Sequence, residues 1–283
     1  MLPKILPLSR YEYGIRKSNG PIEEGLYQHL MNVVPPEIKY CIEFGARDGT
    51  TAHTRGLIEE HGFSALYIEG DPDAAERLKS NFADYPGVTA IQSFITAENI
   101  ESLFMQAGVP ERPYLLTIDI DGNDYYVWKA ITHYHPLFVC VEYNASYGPE
   151  SDFVIDYDPE FMWQKDDYFG AAITPFVQLA KDKGYELIHV TSGGDNLFFV
   201  DREHFTLFGI DDNASERMYQ LPQYGRNGRA QNGKGHPASS VNTPIVMRLW
   251  YHIRYRLLSP LRRIVKRRMK KQISSNRKSH YND

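Results

Sequence analysis

The chain has 283 residues, 42% of them hydrophobic and 24% charged, which suffices for one sizeable α/β domain and an appendage. No apolar run reaches the ~18 residues of a membrane span, and the opening MLPKILPLSR is too short and proline-broken for a signal peptide. Cys41 and Cys140 both fall in apolar strand-like runs, so they suit buried thiols of a reduced, cytoplasmic protein rather than a disulfide or a metal knuckle. The net charge of −5 conceals a division: residues 225–283 hold 15 Lys and Arg and one acid, leaving 16 basic against 35 acidic residues in 1–224. An acidic body with a strongly basic tail is the organisation.

Residues 1–20, with Pro3, Pro7 and Asn19-Gly20, show weak periodicity and form an arm that could help close a ligand site. A helix over 21–33 has Pro21 in its first turn and Glu23 and Glu24 favourable to its dipole, and Pro35-Pro36 stops it. The stretch that organises the rest is KYCIEFGARDG, residues 39–49. A strand over 40–44 runs into Gly45 and Gly49 and then into a helix over 50–61, the strand, turn and helix order that makes a ligand site at the carboxyl edge of a sheet. The glycines are four apart, Glu43 precedes them and Asp48 lies between, which is a poor cradle for a pyrophosphate and suits a cationic ligand.

A second strand over 63–69 ends on Glu69, 24 positions after Gly45, followed by Gly70-Asp71-Pro72 and a helix over 73–82. A carboxylate there can accept both hydroxyls of a ribose; the alternative is a solvated acid at a helix start. A third strand over 88–94 brings Ser93 and Phe94 to the same edge, where they could contact an adenine or simply end the strand. After a helix over 97–107, a nearly continuous apolar strand over 114–120 breaks into Asp121-Gly122-Asn123-Asp124 before a helix over 125–134. The fifth strand, 137–142, ends in Glu142-Tyr143-Asn144. No regular element is evident over 145–170, whose aromatic side chains, among them Tyr147, Tyr157, Phe161, Trp163, Tyr168 and Phe169, suit either a pocket wall or packing on the body. A helix over 173–183 precedes strands over 186–191 and 196–201, joined through Gly193-Gly194 as a hairpin, so the last strand runs antiparallel.

Taken together, EFGARDG at 43–49, the acid in YIEGD at Glu69, DIDGND at 119–124 and the acid in VEYN at Glu142 resemble class I S-adenosylmethionine-dependent methyltransferases, most closely the FkbM-like group. The resemblance covers about residues 39–201 and implies a Rossmann-like, mostly parallel seven-stranded sheet with helices on both faces. It implies S-adenosylmethionine as cofactor, with Glu43, Gly45, Ala46, Arg47 and Gly49 around its methionine part. Glu69, with Gly70 beside it, falls at the ribose, and Asp119 at the sulfonium and acceptor. The acceptor it implies is an oxygen of a saccharide or other small molecule. Two departures count: Glu43 stands where Asp is more usual, and Asp121, with Asp124 nearby, stands where the FkbM pattern usually has Glu.

An alcohol needs a base or a metal ion to become a competent nucleophile near neutral pH. Asp119, Asp121 and Asp124 end the fourth strand, and Glu142 and Asn144 end its neighbour. By analogy with metal-dependent sugar and catechol O-methyltransferases, Asp121, Glu142 and Asn144 would hold Mg2+, with Asp121 and Asp124 as candidate catalytic groups. Alternatively, Asp121 and Asp124 cap the helix starting near Tyr125, and Glu142 balances a cationic ligand. His133 and His135 belong to the opposite edge of the sheet, and His53, in the first helix, reads as structural or exposed.

The divisions expected are an arm and helix over 1–37, the methyltransferase domain over 38–220, a Gly-, Asn-, Ser- and Pro-rich linker over 221–244 and a basic tail over 245–283. Within the tail, 245–273 has the spacing of a basic amphipathic helix kinked at Pro260, suited to an anionic membrane surface on the cytoplasmic side. Phosphates of a nucleic acid or the acidic body are other partners for it, and evenly spaced large apolar residues make nucleic acid unlikely. Competing functions are a nucleotide-dependent oxidoreductase, which needs a phosphate-binding glycine loop, a non-catalytic membrane-tethered binding protein and a nucleic-acid methyltransferase.

Overall fold

The computed structural model describes residues 7–12, 24–164 and 168–222. The linker beyond 222, the tail, and the arm's residues 1–6 and 13–23 lie outside these.

Seven strands form one sheet in the order β3-β2-β1-β4-β5-β7-β6. These are β1 (Tyr40–Phe44), β2 (Ser64–Glu69), β3 (Val88–Gln92), β4 (Leu115–Ile118), β5 (Phe138–Glu142), β6 (Tyr185–Val190) and β7 (Asn196–Asp201). β1 pairs in parallel with both β2 and β4, and β7 runs antiparallel between β5 and β6. This is the Rossmann-like methyltransferase arrangement that the sequence implies. The chain winds outward from β1 to β3 and then crosses back to β4, so the crevice lies where the carboxyl ends of β1 and β4 part.

The central strands are buried on both faces, as unbroken apolar runs require. One face packs under α1 (Glu24–Val33), α2 (Arg55–Glu59) and α3 (Pro72–Asn81) through Leu26, Leu30, Leu57, Ile58, Leu78 and Phe82. The other packs under α4 (Ile100–Gln106), α5 (Asp124–Ala130) and α6 (Ile173–Asp182) through Ile100, Phe104, Val127, Trp128, Ile173 and Phe176.

Helix limits differ from expectation where side chains capture backbone donors. The first helix after Gly49 starts only at Arg55, because 45–54 wraps as a turn around the Glu43 carboxylate. α5 stops at Ala130 rather than running to 134, because Glu101 takes the N–H groups of Thr132 and His133. The irregular stretch over 145–170 contains one bridge, Val154 to Ala171. Aromatic contacts hold it: Tyr147 stacks on Phe153 with centroids 3.7 Å apart, and Tyr126 lies 5.0 Å from Tyr157.

Candidate functional site

Two loops meet at the crevice, one after β1 and one after β4. Gly45 has φ +74°, and a Cβ on it would lie 2.0 Å from the Asp119 carbonyl oxygen. The glycine is therefore demanded by the tip of β4 pressing on the tip of β1. Gly49, at φ +78°, answers a different need: its Cβ would meet the Phe82 ring at 2.5 Å and Leu78 at 2.7 Å. It seats the loop on α3.

The terminal acids of β1 and β2 shape this loop. Glu43 is buried; one oxygen accepts the His53 N–H at 2.9 Å, and the other accepts the Thr54 N–H at 2.9 Å and its hydroxyl at 2.7 Å. Burial raises its carboxyl above the usual range, opposed by His53 and these hydrogen bonds. Glu69 accepts the Arg47 N–H at 2.8 Å and the Asp71 N–H at 2.7 Å, while Asp71 caps α3 through Ala74 N–H. Arg47 sits at φ +53°, an unusual backbone for a side-chain-bearing residue, and the Glu69 bond holds it there. Ala46, between Gly45 and Arg47, is buried in the loop.

The cleft beside this loop is lined by Gly45, Arg47, Thr51, His53, Glu43 and Asp119. Its lining residues carry mixed rather than purely acidic charge, with Arg47 and His53 beside Glu43 and Asp119. The three strand-tip acids thus surround one loop without pointing at one spot: Glu43 and Glu69 clamp backbone, and Asp119 faces the cleft. On the β3 side, Phe94 is 46% exposed and its ring lies against Gly70, where a Cβ would be 3.1 Å from it. Ser93 N–H donates to the Glu69 carbonyl at 3.0 Å, so Gly70, Ser93 and Phe94 gather around Glu69.

Across the crevice, oxygens of Asp119, Asp121 and Glu142 lie within 4.8 Å of one another. Asp121 is the second side-chain-bearing residue with positive φ, at +55°. Burial, and then the Asp119 charge, pushes its carboxyl up to about 6, with Arg47 opposing. Burial also raises Glu142 well above the usual range, followed by Asp119, Asp121, Asp124 and Asp195. Its Oε2 is buried with no hydrogen-bond partner among the described residues. Three acids crowded together, one with an orphaned oxygen, make a donor set that fits a hard divalent cation.

Two further residues of the expected set make structural bonds. Asn144 is fully buried; its amide donates to the Phe169 carbonyl at 3.0 Å and accepts the Ser146 N–H at 3.1 Å, so it braces the following loop. Asp124 is buried too, its oxygens accepting the N–H groups of Ile120 at 2.9 Å and Gly122 at 2.8 Å. Burial pushes it up to about 7. Buried and accepting a backbone N–H on each oxygen, it clamps the Asp121 turn.

The irregular stretch roofs this turn. Phe161 presses on Gly122, where a Cβ would be 2.5 Å from its ring, and Asn123 Nδ2 donates to the Asp158 carbonyl at 2.8 Å. Tyr157 hydroxyl donates to Glu98 at 2.5 Å and accepts Ala97 N–H at 3.1 Å, tying the roof to the loop before α4. Sequence reasoning missed His53 at the cleft, with Nε2 3.8 Å from Asp119 Oδ2. Its place two residues before α2 carries no local signal, since the turn that swings it inward is set by Glu43. His135 is at the opposite edge, Nε2 3.1 Å from Asp201, as expected.

No family model matches the sequence, and no curated protein matches it. Among solved structures, the chain is similar to the N-terminal domain of EvdMO1 in the presence of SAH and D-fucose, at 14% identity and TM-score 0.43, over 63% of this chain and 82% of that one. It is similar to the methyltransferase domain of bacterial CtHen1-C, at 15% identity and TM-score 0.42, over 63% of this chain and 96% of that one. The citrinin polyketide synthase CMeT domain is similar at 13% identity and TM-score 0.41, over 64% of this chain and 51% of that one. Scores this low leave the chemistry of the site to be decided by its own residues.

Proposed function

We propose that the protein transfers the methyl group of S-adenosylmethionine to an oxygen of a saccharide-like small molecule, as the FkbM-like motifs imply. The observation that carries the reading is the set of groups at the carboxyl edge of the sheet: the exposed Phe94 ring beside Gly70, Glu69 bonded to the Arg47 N–H, and Asp119 at both the cleft and the carboxylate cluster. Adenine would lie on Phe94, and Glu69 keeps lone pairs for ribose hydroxyls beyond those its two N–H partners use. The Arg47 guanidinium suits the cofactor's carboxylate, and Asp119 its ammonium and sulfonium. This charge pairing replaces the all-acid surround that the motifs imply.

Methyl transfer is an in-line displacement: the acceptor oxygen bonds to the methyl carbon, and the carbon–sulfur pair returns to sulfur. The acceptor hydroxyl proton leaves to a carboxylate oxygen of the cluster or to water beside it. Asp119, Asp121 and Glu142 would hold Mg2+, which when bound polarises the acceptor oxygen. Asp124 keeps Asp121 in place through the turn, and the Phe161 roof keeps water from the crevice.

Titration calorimetry with S-adenosylhomocysteine tests this. One site at micromolar affinity supports it; no heat at millimolar ligand removes it. The 15 basic residues over 225–283 and the apolar spacing of 245–273 further support attachment to an anionic membrane surface from the cytoplasmic side, with no helix among the described residues long and apolar enough to cross a membrane. Full-length protein should sediment with liposomes containing phosphatidylserine, and a chain ending at Tyr224 should not; equal partitioning refutes the attachment.

A further inference from the structure

The N-terminal arm reaches the sheet through one buried carboxylate, that of Glu12. Its Oε1 lies 2.6 Å from Nε2 of His189, itself fully buried, and accepts the Ser192 N–H at 2.9 Å, while Oε2 accepts the Ser192 hydroxyl. The residues leading to Glu12 are seated on α1: Leu8 is buried in the same apolar cluster as Leu26 and Leu30, and Tyr11 stacks on His29 with centroids 3.7 Å apart.

Ser192 opens the turn of the β6–β7 hairpin. β7 is antiparallel to both β5 and β6, so β6 runs parallel to β5 and the turn stands at the carboxyl edge, beside the end of β5. There Asn196 is the register partner of Glu142, and the Asp195 carbonyl accepts the Tyr143 N–H at 2.9 Å. Within the turn, Thr191 Oγ1 accepts the Asn196 N–H at 2.9 Å, so a shift at 192 passes to 195 and 196 instead of being absorbed. On its other side the turn is packed by backbone, since a Cβ on Gly194 would lie 2.8 Å from the Leu221 carbonyl oxygen.

We infer that Glu12 is a positioning residue: it fixes the turn over 191–196 against the end of β5 and so sets where Glu142 stands in the carboxylate cluster. The arm is thereby part of the acceptor side of the site. The Gly45 loop and Glu69, which lie beyond β4 in the strand order, do not depend on it.

The cation side of this inference rests on the reading of the cluster given above, and two readouts keep them apart. Amide exchange of the full chain, followed by NMR, reads the turn at the Tyr143 N–H, with the Gly45 N–H, bonded to the Ile68 carbonyl, as reference. Calorimetry with Mn2+ alone and with S-adenosylhomocysteine alone reads the two halves of the site. Ser192→Ala removes one bond at a half-buried position and leaves Glu12 and His189 together; Glu12→Gln removes the charge at the centre of the connection.

In Ser192→Ala, Tyr143 should exchange about three- to tenfold faster and Mn2+ should bind more weakly by a similar factor, the range of one hydrogen bond. Gly45 exchange and S-adenosylhomocysteine affinity should stay within about twofold of the parent, the scatter of independent sites. Glu12→Gln should do the same or more, and the double variant no more than Glu12→Gln alone, because both break one connection. If Glu12 serves only to satisfy the buried His189, Ser192→Ala leaves Tyr143 and Mn2+ unchanged, and Glu12→Gln speeds exchange at Tyr143 and Gly45 alike; either result overturns the inference. A parent protein that binds no Mn2+ at millimolar concentration removes the cation reading, and exchange at Tyr143 then decides the positioning role by itself.

Discussion

Alanine at position 45 is expected to lose both stability and ligand binding. Its Cβ would stand 2.0 Å from the Asp119 carbonyl oxygen, a backbone atom of a central strand that has nowhere to retreat, and φ is +74°. Left-handed backbone costs an alanine about 1 kcal/mol, and overpacking against a rigid core costs about 1–3 kcal/mol more. For a domain of this size that is a drop of about 5–12 °C in melting temperature. Gly62 is the control: it shares the positive φ, at +68°, but faces open space. Gly62→Ala should cost about 1 kcal/mol and leave S-adenosylhomocysteine binding intact. Equal effects of the two substitutions in thermal melts would show that strand-tip contact is not what position 45 is for.

The second large effect is on pH dependence. Asp121 is held up to about 6, Asp124 up to about 7 and Glu142 well above its usual range, all first by burial. A carboxyl held above its unfolded value contributes stability that is complete below about pH 4 and is lost as pH rises through its folded value. Metal-free protein should therefore melt lower at pH 8 than at pH 5.5, by on the order of 3 kcal/mol or about 5–10 °C. Depressed carboxyls such as Glu101 act in the opposite direction only at lower pH, below about 4. Adding Mg2+ should recover much of the loss at pH 8 and do little at pH 5.5, where protons already occupy the cluster. Melts in EDTA and in Mg2+, with Glu142→Gln as the variant that flattens both responses, check this. A protein more stable at pH 8 than at pH 5.5 without metal contradicts it.

The sheet was legible because each strand is an unbroken apolar run ended by a polar or glycine-bearing turn, and because the two glycines at 193 and 194 signal the closing hairpin. Strand-tip acids were legible as a set for the same reason, since a parallel sheet brings successive carboxyl ends to one edge. What each acid does there was not. Whether Glu43 faces a ligand or the N–H groups of His53 and Thr54 depends on how ten residues of turn wrap, and no spacing rule encodes that. Asp124 reads as a base in a linear motif and is a clamp in space, because Asp121 adopts a left-handed backbone that turns the next three residues back on themselves. Asn144 braces the loop over 145–170, which aromatic contacts such as Tyr126 with Tyr157 help to hold, and no linear pattern encodes such contacts. Phe94, by contrast, is an apolar ring that the strand end leaves in solvent, which its place in the sequence already suggested.

A crystal structure of the protein with S-adenosylhomocysteine is the most direct measurement. Adenine against Phe94, ribose hydroxyls on Glu69, the ligand's carboxylate at Arg47 and its ammonium at Asp119 are the predicted contacts. A nucleoside bound away from the β1 and β4 tips, or an amino-acid end turned from Asp119 toward solvent, would contradict the account.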